Sequence, residues 1–150
     1  MIQIMGIINL TPDSFWEESR ADAATALARV ESMIADGADI IDLGAVSTRP
    51  GAAAVDVESE WSRLEPVLKR LPHSVRLSID TTSAVIAARA HSVLGRSYIV
   101  NDISAGEDDP QMLETVATLG LGYVAMHKRG NPQTMDGMTS YSSGIIPELI

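Results

Sequence analysis

Five short apolar runs, each followed by a stretch with helical spacing, restrict this chain more than any other feature. The runs are "IQIMGIIN", "DIIDLG", "VRLSID", "SYIVND" and "LGYVAMH". The spacing predicts helices over Ala21 to Ala35, closed by Gly37, over Val57 to Leu71, and over Ser83 to about Leu94. Asp109 as N-cap, Pro110 at the first position and Gly120 past the end predict a fourth. "IIPELI" opens another, after a loop-like tail from Lys128 to Ser143. Short runs alternating with helices indicate βαβ units and a parallel sheet. The runs are nearly continuous in hydrophobicity, as strands covered on both faces should be. Two architectures satisfy that pattern, a (β/α) barrel and an open doubly wound sheet.

Each run ends in polar groups. The first ends in Asn9, the second in Asp42 and Gly44 with Ser47, Thr48 and Arg49 just beyond, and the third in Asp80. The fourth ends in Asn101 and Asp102, and the fifth in His127, followed by Lys128 and Arg129. In parallel α/β folds the C-terminal ends of the strands converge on one mouth, where ligands bind. Each residue alone also has a plainer reading. Asp80 could be the N-cap of the next helix, Asn101 and Asp102 could be turn formers, and His127 could be a satisfied edge histidine. Arg49 resists that treatment best. It lies between Thr48 and Pro50, and the position before a proline is biased away from helix. A fixed loop that offers a guanidinium and hydroxyls suits an anionic ligand.

Composition narrows the partners. The 150 residues suffice for one domain with a core, and a net charge of −9 disfavours nucleic acid. The absence of cysteine excludes a disulfide framework and fits a reducing, cytoplasmic setting. The apolar start lacks a basic leader, and no segment reaches spanning length, so no membrane partner is expected. "GLGYVA" has dinucleotide-motif spacing but precedes a strand instead of following one, which leaves the phosphate no helix N-terminus. The three histidines lack metal-ligand spacing.

The chain resembles the dihydropteroate synthase family. The resemblance rests on "MGIINLTPDSF", "GADIIDLGAVSTRPGA", "LSIDT", "VNDISAG" and "MHKRGNPQTM", which fall in the family's order over nearly the whole chain. It implies a TIM (β/α)8 barrel of which residues 1–150 supply roughly the first five β/α units, as the N-terminal part of one pterin-binding domain. It implies condensation of 6-hydroxymethyl-7,8-dihydropterin diphosphate with 4-aminobenzoate to 7,8-dihydropteroate and pyrophosphate, in folate synthesis. By the same resemblance Asn9 meets magnesium and the diphosphate, and Thr48 and Arg49 face the diphosphate and aminobenzoate. Ser47, Pro50 and Met126 join them in binding, Asp80 and Asn101 pair with the pterin edge, and Asp13 acts from a first loop of Thr11 to about Arg20. The long form is expected to be a homodimer.

The sequence departs from the family pattern at two places: Ala45 and Val46 precede "STRPG", and "WEESR" follows "TPDSF". A (β/α)8 barrel typically needs about 250 residues, so a chain of this length is expected to be poorly folded or inactive in isolation. Two other functions fit the pattern: a pterin-dependent methyltransferase, which would require a corrinoid partner, and a non-catalytic pterin- or phosphate-binding protein.

Overall fold

The structure, a computed structural model, describes residues 2–10, 23–46, 55–127, 129–130, 134 and 137–149. Asp13, the rest of the first loop, and Ser47, Thr48, Arg49 and Pro50 lie outside the described residues.

The elements follow the predicted alternation. They are β1 (Met5–Asn9), α1 (Ala23–Ala35), β2 (Ile40–Gly44), α2 (Val57–Leu68), β3 (Leu77–Asp80), α3 (Ala84–Leu94), β4 (Ile99–Asp102), α4 (Met112–Leu119), β5 (Gly122–Ala125) and α5 (Ile145–Leu149). The sheet is parallel throughout and its strand order is β1-β2-β3-β4-β5. A doubly wound sheet reverses its strand order at a switch point. This one never does, so right-handed crossovers place successive helices on the same face, as in a barrel wall. Of the two architectures open to the sequence, the sequential order selects the barrel type.

Side chains alternate across each strand. Ile8, Ile41, Leu43, Ile79 and Val100 point outward and form one buried core with Ala26, Val30, Leu64, Leu68, Ile86, Ala90 and Met112 from the helices. The opposite, inner face carries Asp42 and Ser78, both buried. At the edges that face is open, with Ile7 60% and Val124 44% exposed.

Helix ends follow local chemistry, with one correction. Ser83, not Asp80, is the N-cap of α3, and its hydroxyl accepts from Ile86 N. That removes the plainer explanation for Asp80. Gly95 and Gly120 end α3 and α4 in the left-handed conformation that glycine adopts without strain. Asp109, however, does not cap its own helix. The helix α4 starts at Met112, behind Gln111. The Asp109 carboxylate instead accepts from Ala84 N of the neighbouring α3 at 2.8 Å and from Gln111 N at 3.0 Å. One oxygen thus serves the local turn and the other the orphan amide at the start of another helix, a bridge that sequence spacing does not encode.

Candidate active site

Strand register brings three of the predicted residues into one row. Asn9 lies opposite Gly44, Gly44 opposite Asp80, and Asp80 opposite Asn101. Residues matched in register share a face, so Asn9, Asp80 and Asn101 project together from the inner face at the C-terminal rim. Gly44 supplies the room between them. A Cβ there would meet Asn9 Oδ1 and Asp80 Oδ2, each at 3.3 Å. Its φ does not exclude alanine, so the glycine serves the space and not the backbone. Gly44→Ala should therefore fold normally but displace Asn9 or Asp80, and its ligand affinity should fall at least about tenfold in calorimetry.

Two residues beneath Gly44, Asp42 sits on the same face and is only 3% exposed. Asn101 Nδ2 donates to its Oδ2 at 3.3 Å. Burial, reinforced by the charges of Asp42, Glu60 and Asp102, pushes the Asp80 carboxyl up to about 6. An acid with that midpoint remains ionised at neutral pH and is primed to accept hydrogen bonds from a ligand.

The rim is braced from α2. The Glu60 side chain is buried, and burial raises its carboxyl against the opposing pull of a Thr81 hydrogen bond and the Arg63 charge. Arg63 Nη1 donates to the Ala45 carbonyl at 2.6 Å. The pair thus holds the residue after β2 and the residue after β3. Neither is marked by a motif in the sequence; only their one-turn spacing on α2 places them on one face.

Asp102 separates from Asn101. Adjacent strand residues face opposite ways, and Asp102 is fully buried on the helix side. Its carboxylate accepts from Ser104 N and Oγ, both at 2.7 Å, from Gly106 N at 2.9 Å and from Tyr123 OH at 2.8 Å. This belt holds Ala105 at φ 54, a left-handed conformation that costs a non-glycine residue about 1 kcal/mol. Burial and the bond to Asp102 push the Tyr123 phenol up. Asp102 is therefore a structural anchor and not a member of the row.

The fifth strand contributes less to the row than its sequence suggests. Met126 lies just past β5, is 39% exposed, and donates its backbone N–H to the Asp102 carbonyl at 3.1 Å. His127 Nε2 pairs with Tyr141 OH at 3.1 Å, and Arg129 donates to the Ser140 carbonyl and packs over the Tyr141 ring. Both residues serve to tie down the segment after β5.

A row of carboxylate and carboxamide groups on the inner rim of a sequential parallel sheet suits a flat ligand with hydrogen-bonding edges. A family model described as "Pterin binding enzyme" matches residues 5–149. The chain belongs to the pterin-binding enzyme family. Its relatives within that family include the mitochondrial folate synthesis bifunctional protein of Arabidopsis thaliana. The two are 46% identical over 138 residues, which is 88% of this chain and 24% of that protein. The dihydropteroate synthase of Synechocystis is 40% identical over 141 residues, 92% of this chain and 48% of that enzyme. Among solved structures, FolP (dihydropteroate synthase) from Clostridium difficile in the presence of pteroic acid superposes with a TM-score of 0.84 at 35% identity. That match covers 97% of this chain and 53% of the other. The chain thus spans about half or less of the length of these family members. Among the described residues no helix is long and apolar enough to cross a membrane.

Proposed function

We propose that the chain carries the substrate-reading half of a dihydropteroate synthase, joining 6-hydroxymethyl-7,8-dihydropterin diphosphate to 4-aminobenzoate with release of pyrophosphate. The observation that carries this reading is the row Asn9, Gly44, Asp80 and Asn101 in a member of the pterin-binding family. Asp80 and Asn101 pair with the donor-rich edge of the pterin, and Met126 contributes to its binding. Ser47, Thr48, Arg49 and Pro50 face the diphosphate and the aminobenzoate carboxylate, and Asp13 acts from the first loop. No protein general base is assigned, because the arylamine can attack once the pterin methylene has become cationic. Excluding water then matters more than proton abstraction.

Magnesium fits this site by donor chemistry. Asn9 Oδ1 and Asp80 Oδ2 border the same gap beside Gly44, and both are hard oxygen donors of the kind magnesium accepts while keeping several waters. Asn9 would hold the ion, which when bound would neutralise the departing diphosphate. Among the described residues no group of three or more acidic, histidine or cysteine side chains forms a cage, so diphosphate oxygens would complete the shell. A cytoplasmic location and a homodimer of the long form belong to the same proposal.

The test is pyrophosphate release from the pterin diphosphate on addition of 4-aminobenzoate. It is run on the chain alone and on the chain fused ahead of the half of the Synechocystis enzyme it does not span. Release by the fusion is expected. A folded fusion that binds no pterin and releases nothing would sink the reading. Within an active fusion, Arg49→Ala should lower turnover by about 10²-fold or more without unfolding the protein, because it removes a cation from the leaving group.

A further inference from the structure

Asp42 has no part in the roles described so far, yet it is the most deeply buried acidic group on the inner face, with 3% of its surface exposed. A carboxylate without its own cation is an expensive thing to bury. One oxygen, Oδ2, accepts from Asn101 Nδ2 at 3.3 Å. The other, Oδ1, is buried with no hydrogen-bond partner, and so is the hydroxyl of Ser78, which lies opposite Asp42 in the strand register. Above it on the same face of β2 lies Gly44, bordered by Asn9 and Asp80. A leucine or valine at position 42 would fill this layer at no electrostatic cost. The acid therefore needs a reason.

The chemistry of asparagine supplies one. Its amide has a donor end and an acceptor end of nearly equal shape, and either could face a ligand. The Asp42 oxygen takes the nitrogen end, since Nδ2 is the donor that reaches it. With Nδ2 on Asp42, the carbonyl is the end of the Asn101 amide left for a ligand, and Asn101 lies opposite Asp80 in the strand register. We propose that Asp42 is a positioning residue that fixes the Asn101 amide with its carbonyl toward the ligand, so that the rim offers adjacent acceptors and selects a ring edge carrying adjacent N–H donors. The proposal deepens the pterin reading and rests on it for the identity of the ligand, but the orientation of Asn101 is a property of the free chain.

The experiment uses the 15N-labelled chain and follows the Asn101 side-chain amide, assigned by its loss in Asn101→Ala. With Asp42 in place, that amide should exchange with solvent at least about tenfold more slowly than a free asparagine amide. In Asp42→Ala the protection should vanish. In Asp42→Asn a carbonyl acceptor remains and most of the protection should survive. If Asp42→Ala does not fold, Asp42→Ser, too short to reach, takes its place. Unchanged Asn101 exchange in the folded alanine or serine variant would overturn the proposal. So would Asp42→Asn behaving like alanine, since a purely structural role for the acid predicts no such ordering.

A second arm measures selectivity between two probes: 2-amino-4-oxopteridine, whose 2-amino group and N3–H are adjacent donors, and 2,4-dioxopteridine, in which a carbonyl replaces that amino group and N1 carries a hydrogen. The protein with Asp42 should prefer the amino compound by about tenfold or more, and Asp42→Ala should lose that preference. This arm is run on the fusion described above: if a folded fusion with Asp42 in place binds neither probe, the pterin reading is what fails, while the exchange result still decides the role of Asp42.

Discussion

Replacing Asp102 with alanine should lower stability by about 3–5 kcal/mol, enough to unfold a domain of ordinary marginal stability. The reason is an accounting of donors. Ser104 N, Ser104 Oγ, Gly106 N and Tyr123 OH all end on this one buried carboxylate. Truncation strands them at once, and a buried donor left without a partner costs about 1–3 kcal/mol. It also releases Ala105 from its left-handed conformation, so the turn between β4 and α4 has no reason to keep its shape. Asp102→Asn should be nearly as damaging, because its amide nitrogen must face a donor. Urea unfolding at pH 7, followed by far-ultraviolet circular dichroism, measures the effect. A midpoint shift worth less than about 1 kcal/mol would show that the belt is not the anchor described above.

Asp80→Asn should do the reverse, raising stability at neutral and alkaline pH while removing ligand affinity. The Asp80 carboxyl is raised from an ordinary 3.8 to about 6 in the fold, by burial first and then by the charges of Asp42, Glu60 and Asp102. A raised carboxyl favours the folded state fully below about pH 3.8, and that contribution disappears as the pH climbs through about 6. Above pH 6 the fold holds an ion it would prefer neutral. That rise corresponds to at most about 3 kcal/mol, and partial solvent access reduces it. The neutral isostere should therefore be more stable than the parent at pH 8, and the two should converge near pH 4. Its affinity for a pterin should fall by roughly 10–150-fold, the worth of one charged hydrogen bond. Paired urea titrations at pH 4 and pH 8, with calorimetry on the same samples, test both halves. A variant less stable than the parent at pH 8 would contradict the electrostatic account.

These two acids show how much of the site was legible in the sequence. The alternation of apolar runs with helical spacing located all five strands, although only β2 is buried along its whole length and the edge strands β1 and β5 leave one face open. It also located the polar rim, because Asn9, Asp80 and Asn101 follow those runs directly. Strand order was not legible, since hydrophobic pattern says which residues are buried but not against which neighbour. Asn101 and Asp102 end the same run and both could be turn formers, a role that only Asp102 takes. Period-two alternation alone could have separated them, as neighbours on a strand face opposite sides. Asp42 carried the same signal in reverse, two residues before Gly44 and so on its face. Glu60 and Arg63 had no signal beyond one helical turn of spacing, because their partners, Thr81 and the Ala45 carbonyl, are distant in sequence and one of them is backbone. The helix start at Asp109 was misplaced for a similar reason: its best partner belongs to another β/α unit.

That misplaced cap has a mechanical meaning. A single carboxylate is shared between the turn that follows β3 and the turn that follows β4, so those two corners are riveted into one plate. The acceptors on β3 and β4 ride on that plate and cannot drift apart independently. A guest arriving at the mouth meets a frame already rigid on this side.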